Sequence, residues 1–236
     1  MRALLSFLLG LTGLIAAHRF RRRRHPVRAM IVSPNESTSV ARDGAVTSAQ
    51  AAYLTLAPRD LDRLWHPANL ENLGRTYWRF LSRVTLGLIR VIYGESERSV
   101  AFLVRPLTLL RFELPEYVLE GDHGKVMWRI RDGLLVARRG RGSGYLAIDV
   151  RREAPRAEGN GQASVRIEVE VSNFYPAIAS EFSLPAYQAT QSIIHVLVTQ
   201  AFLRSLATLD LDRSQVGRLA ALEAAAQREA QETSQP

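Results

Sequence analysis

Residues 163–172 read ASVRIEVEVS. In an extended chain Val165, Ile167, Val169 and Val171 fall on one face, and Arg166, Glu168 and Glu170 on the other. The same period of two recurs upstream. Val126, Trp128 and Ile130 alternate with Lys125, Met127, Arg129 and Arg131, and Leu146, Ile148 and Val150 alternate with Tyr145, Ala147 and Asp149. Strands that bury one face only are characteristic of antiparallel sheets. The pattern predicts strands at Arg98–Val104, Leu107–Glu113, Pro115–Glu120, Lys125–Arg131, Leu134–Arg139, Gly144–Arg152 and Ala163–Ser172. The connections are short and turn-rich: Asp132-Gly133 is a hairpin dipeptide, and Gly121–Gly124 and Gly140–Gly144 are glycine-bounded. Only 152–162 is longer. Strands adjacent in sequence are therefore expected to be neighbours in a meander.

A sheet with one apolar face needs a cover. Tyr187–Leu209 supplies it, with Ile193, Ile194, Leu197, Val198, Ala201, Phe202 and Leu206 on one helical stripe. Helical signals also precede the strands. Asp60 and Asp62 stand at the head of Leu61, Leu64 and Trp65 in a short helix that stops near His66-Pro67. A second helix is expected over Gly74–Tyr93, closed by Gly94. Its arginines Arg75, Arg79, Arg83 and Arg90 share one sector with Ser82. That stripe has two readings, a wet face on a core helix or a face turned to anionic lipid. Past Leu209, RLAALEAAAQREAQ favours helix but has only a thin apolar face, so an exposed or partner-binding helix is expected there.

The N-terminus has a different composition. Ala3–Ala17 carries no charge, and Arg19, Arg21, Arg22, Arg23 and Arg24 follow at once. Arginine directly after an apolar stretch opposes its export, and Ile15-Ala16-Ala17 is a poor cleavage site. The expectation is an uncleaved membrane-anchor helix in the cell membrane. Leu4, Leu5, Phe7, Leu8, Leu9, Leu11, Leu14 and Ile15 would lie in the lipid, the arginines at the headgroups, and the rest of the chain in the cytoplasm. Fifteen residues reach roughly 22 Å against a hydrocarbon core of about 30 Å. An interfacial helix and a cleaved signal therefore stand as alternatives.

Charge supports this reading. Of the formal +8, residues 1–28 hold seven arginines and no acid, which leaves 24 basic against 23 acidic residues elsewhere. A basic footprint for nucleic acid is absent from the folded part, and no nucleic-acid partner is expected. Lys125 is the single lysine against thirty arginines, a skew that matches the codon bias of GC-rich bacteria. There is no cysteine, so thiol catalysis, disulfides and thiolate metal sites are excluded.

These readings give an α+β fold, an antiparallel β-meander packed against a long C-terminal helix with a membrane-anchor helix in front. The expected divisions are an anchor at 1–28, a Ser/Thr/Asn/Pro-rich linker at 29–49 with one short strand near Ala29–Ser33, a domain at 50–209 and an exposed helix and tail at 210–236. The order of helices, meander and final helix resembles the helix-grip arrangement of the START and Bet v 1-like (polyketide cyclase-like) superfamily. The resemblance covers roughly 50–209 and rests on element order. It implies a curved sheet gripping Tyr187–Leu209, with an apolar cavity between them that takes lipids, sterols or polyketides.

The chemistry of catalysis is not written in the sequence. His18, His25, His66, His123 and His195 stand apart from any metal-ligand spacing. Gly140–Gly144 lies between strands, where a phosphate loop would need a helix N-terminus. Asp149, Glu168 and Glu170 fall on outward faces. No cofactor, metal or catalytic residue is assigned. The expected ligand-binding wall is Trp128, Leu146, Ile148, Val165 and Ile167 from the sheet, with Tyr187, Ile194, His195 and Val198 from the helix. The function these residues imply is a membrane-tethered, non-catalytic binding domain for an apolar or lipid-like ligand. The alternatives are a membrane-associated interaction module with a protein partner, and a cyclase- or hydrolase-type enzyme using the same cavity.

Overall fold

The computed structural model describes residues 28–31, 37–103, 107–153 and 162–177. Beyond these it describes Thr199, 202–204, Leu206, 211–215, Gly217, Leu219, Ala221 and Ala225. Among the described residues the alternating stretches form one antiparallel sheet of ten strands. These are β1 Arg28–Ile31, β2 Thr38–Val40, β3 Val46–Leu56, β4 Ile89–Tyr93, β5 Arg98–Phe102, β6 Thr108–Phe112, β7 Glu116–Glu120, β8 His123–Asp132, β9 Tyr145–Glu153 and β10 Ala163–Phe174. The sheet order is β1-β3-β10-β9-β8-β6-β5-β4. β2 pairs with the start of β3, and β7 pairs with the start of β8. β6 and β7 thus both serve β8, one at each of its ends.

Two helices, α1 Pro58–Leu64 and α2 Pro67–Val84, fill the connection from β3 to β4. Prolines start both, where a missing N–H costs nothing. The inward rows of β3, β8, β9 and β10 pack against α2 through Ala52, Leu54, Val126, Trp128, Ile130, Leu146, Ile148, Val165, Ile167 and Val169, all buried. Gly74 lets α2 approach closely: a Cβ there would stand 2.9 Å from the Trp128 ring. Thr199, Phe202, Leu203 and Leu206 are also buried, at the spacing of one helical stripe, and 202–204 are helical. The long helix expected over Tyr187–Leu209 otherwise lies outside the described residues, as does the anchor Ala3–Arg24. Among the described residues no helix is long and apolar enough to cross a membrane.

The structure corrects several expectations. The helix expected to run to Tyr93 ends at Val84. Thr85 caps it, Leu86 and Gly87 take left-handed φ of 54° and 79°, and the β-branched Ile89, Val91 and Ile92 continue as a strand. Two of the arginines proposed to face lipid are engaged elsewhere: Arg75 and Arg79 pair with Asp212 at 3.4 and 3.0 Å. Leu134–Arg139 is not a strand. Gly133, at φ 142°, turns the chain out of β8, Val136 makes one isolated bridge to Pro176, and Arg138–Gly140 is a 3-10 turn. A Cβ on Gly133 would stand 2.2 Å from the Leu109 carbonyl oxygen, so this turn requires glycine. The stretch expected as a linker, 29–49, carries most of β1, all of β2 and the first residues of β3.

The segment after Leu209 was expected to be exposed, but part of it is docked on α2. The backbone N–H groups of Asp212, Ser214 and Leu219 donate to Thr76 Oγ1, Asn72 Oδ1 and Glu71 Oε1, at 2.7, 2.7 and 2.8 Å. Polar side chains of α2 thereby satisfy backbone donors of a strap. Ala221 and Ala225 beyond it are exposed.

Candidate functional site: an apolar cavity at one end of the sheet

β3, β9 and β10 bring one end of the sheet together. The last residues of β3 (Leu54, Leu56), the late inward residue of β9 (Val150) and the first inward residues of β10 (Val165, Ile167) form one wall. Leu61, Leu64 and Trp65 of α1 and its exit, with Leu70 and Leu73 of α2, form the opposite wall. Leu206 and Leu211 close one side, and Leu119 with Gly124 of the β7–β8 hairpin closes another. The cavity between these atoms has a volume of about 90 Å³ and opens to solvent at its mouth. It gives room for a short apolar chain or ring.

The lining is aliphatic apart from Trp65, His66 and Asn69. These three sit at the junction of α1 and α2. Pro67 breaks the chain there, His66 caps α2 by accepting the Ala68 N–H at Nδ1 (3.4 Å), and Asn69 Nδ2 donates to the Leu64 carbonyl at 3.1 Å. Trp65 Nε1 donates to the Gly121 carbonyl at 3.0 Å, tying α1 to the β7–β8 turn. The polar groups are thus spent on holding the rim, and the interior is left to hydrocarbon.

Of the residues expected in a ligand-binding wall, Val165 and Ile167 line this cavity. Trp128, Leu146 and Ile148 lie deeper, in the packed core. Trp128 stacks edge-on against Trp78 with ring centroids 5.2 Å apart, and Ile148 is fully buried. Tyr187, Ile194, His195 and Val198 lie outside the described residues. So do the expected membrane residues Leu4, Leu5, Phe7, Leu8, Leu9, Leu11, Leu14, Ile15, Arg19, Arg21, Arg22, Arg23 and Arg24. The sequence reading missed the α1–α2 wall. Its signal was present in the three-residue spacings Leu61/Leu64 and Leu70/Leu73 around Trp65-His66-Pro67.

The outward carboxylates are engaged in surface pairs. Asp149 meets His123 Nε2 at 2.7 Å and Arg151 Nε at 3.1 Å, Glu168 pairs with Arg166, and Glu170 accepts from the Tyr145 hydroxyl at 3.1 Å. Among the described residues no three His, Asp or Glu side chains gather as a metal site would require.

No known family profile matches the chain, and no curated protein is similar to it in sequence. Solved structures that resemble it include Ara h 8.0201, at 12% identity over 67% of this chain and 98% of its own, with a TM-score of 0.28. A truncated norcoclaurine synthase from Thalictrum flavum matches at 14% identity over 71% and 98%, with a TM-score of 0.31. Human STARD10 matches at 12% identity over 73% and 72%, with a TM-score of 0.29. All three scores lie below 0.5. What the fold itself shows of a helix-grip arrangement is the strand order, with β3 beside β10 and two helices between β3 and β4, and the burial of Thr199, Phe202, Leu203 and Leu206.

Proposed function

We propose that this helix-grip chain is a membrane-tethered, non-catalytic binding domain for an apolar or lipid-like small molecule, held in the cavity between α1–α2 and the β3–β10–β9 end of the sheet. The observation that carries the reading is the lining. Twelve of its sixteen residues are leucine, valine or isoleucine, plus one glycine, and the polar members sit at the α1–α2 junction. Burial of apolar surface supplies about 25 cal/mol per Å², so a ligand that hides about 200 Å² gains roughly 5 kcal/mol before its ordering costs.

Tethering is supported by the sequence Ala3–Ala17 with its arginine flank, and by where the chain enters the fold. Arg28 of β1 pairs with Thr55, between the cavity residues Leu54 and Leu56. The N-terminal segment therefore joins the domain at the cavity end.

The test is saturable binding of a neutral apolar fluorophore, N-phenyl-1-naphthylamine. Gly124 lines the cavity, and a Cβ there would point at Leu119 (3.2 Å) and Leu70 (3.7 Å). Gly124→Phe is expected to fill the space and abolish fluorophore binding while the far-ultraviolet circular dichroism is retained. Unchanged binding by a folded Gly124→Phe protein would place the ligand elsewhere.

A further inference from the structure

The inward row of β9 reads Leu146, Ile148, Val150 and then Arg152. Leu146 and Ile148 are packed in the core, Val150 lines the cavity, and the fourth, one step beyond Val150 in the row, is arginine. Its register partner is the cavity residue Val165. Its guanidinium carbon lies over the ring of Trp65, another cavity residue, 4.9 Å from the centroid. A cation stacked on an aromatic face at the edge of an apolar hole is held in place even when unpaired.

The pairing of this guanidinium is incomplete. One terminal nitrogen, Nη2, donates to Asp62 Oδ1 at 2.9 Å. Nε is shielded from solvent and has no hydrogen-bond partner. A buried donor left unsatisfied costs on the order of 1–3 kcal/mol, so a ligand oxygen that reached it would be favoured. Asp62 marks the kind of group the site takes, a carboxylate. Its side chain is 68% exposed, which makes the pair a surface contact of little worth and easily exchanged.

Resting on the reading that the cavity binds an apolar ligand, we infer that the ligand is an amphipathic carboxylate, with its hydrocarbon in the cavity and its carboxylate on Arg152, displacing Asp62. A bidentate contact through Nε and Nη2 matches the planar fork of the guanidinium.

Isothermal titration of the full chain with octanoate and with 1-octanol, at about pH 8 where a carboxyl group is ionised, separates the possibilities. Octanoate is expected to bind at least about tenfold more tightly than the alcohol, the yield of one charge-assisted hydrogen bond. In Arg152→Gln the ratio of the two affinities is expected to fall to about one. Equal binding of both ligands by the unaltered chain, or a ratio unchanged in Arg152→Gln, overturns the inference and leaves the cavity reading standing. Binding of neither ligand overturns both. Should Arg152→Gln fail to fold, Asp62→Asn decides: removal of the competing carboxylate is expected to tighten octanoate alone, and an unchanged octanoate affinity rejects the assignment.

Discussion

Tyr77 shows how one residue couples the core to pH. Its ring is buried, edge-on to Trp78 and to Phe202 with centroids 5.1 Å away in each case. Burial pushes the phenol pKa up to about 12, and the Thr199 hydroxyl opposes only part of that shift. The folded state therefore keeps a proton that the unfolded chain loses near pH 10. Because the folded pKa is the higher one, the stabilisation is complete below about pH 10 and is lost as pH rises toward about 12. The loss from this group is on the order of 2–3 kcal/mol. Denaturant midpoints followed through that range should fall, and Tyr77→Phe should fall less steeply. Equal slopes would show that other groups carry the alkaline limb. Burial also raises Tyr93, which lies beneath Arg75, and it titrates on the same side.

At the scale of elements, α2 is the most instructive piece. One of its faces is apolar and closes on the sheet. On another, Glu71, Asn72, Arg75, Thr76 and Arg79 hold the strap around Asp212–Leu219. The arginine stripe was visible in the sequence, but its partner was not, because Asp212 lies more than a hundred residues away and no local rule connects them. Asp212→Asn removes the acceptor shared by Arg75 and Arg79, at a cost of about 1 kcal/mol. The expected result is several-fold faster tryptic cleavage after the exposed Arg213, with the main unfolding transition barely moved. An unchanged cleavage rate would mean that the three backbone hydrogen bonds hold the strap alone. The same strap brings Leu211 to the cavity, so the strap and the binding site share a wall.

The whole molecule sets a direction. β1 delivers the N-terminal segment to the end of the sheet where the cavity opens. Under the proposed function, the anchor and the mouth face the same bilayer. Removal of residues 1–25 is expected to move the protein from the membrane fraction to the supernatant without loss of octanoate binding. Retention in the membrane fraction would assign attachment to another part of the chain.

Local periodicity carried most of this architecture. The two-residue alternation around Val126–Ile130, Leu146–Val150 and Val165–Val171 specified antiparallel strands and their inward faces, because side-chain direction in a strand is fixed by parity alone. It also called for an apolar cover, part of which α2 supplies among the described residues. The sequence failed where two neighbouring signals competed. Ile89–Tyr93 continues an apolar helical pattern, yet it is a strand, since Leu86-Gly87 turns the chain and β5 offers a partner. Leu134–Arg139 is apolar enough for a strand, but it bonds β6 only through the N–H groups of Leu134 and Leu135 and makes one bridge to Pro176 before Arg138–Gly140 turns away. The site was decided by tertiary structure. Trp128 and Ile148 share the parity of Val165 and Ile167, yet the first two are packed solid and the second two face a hole. The difference is what stands opposite: Trp78 and Gly74 press on Trp128, whereas the α1–α2 junction leaves space at the other end of the sheet. Parity determines which face is inside, and only the distance between layers determines whether that inside is full.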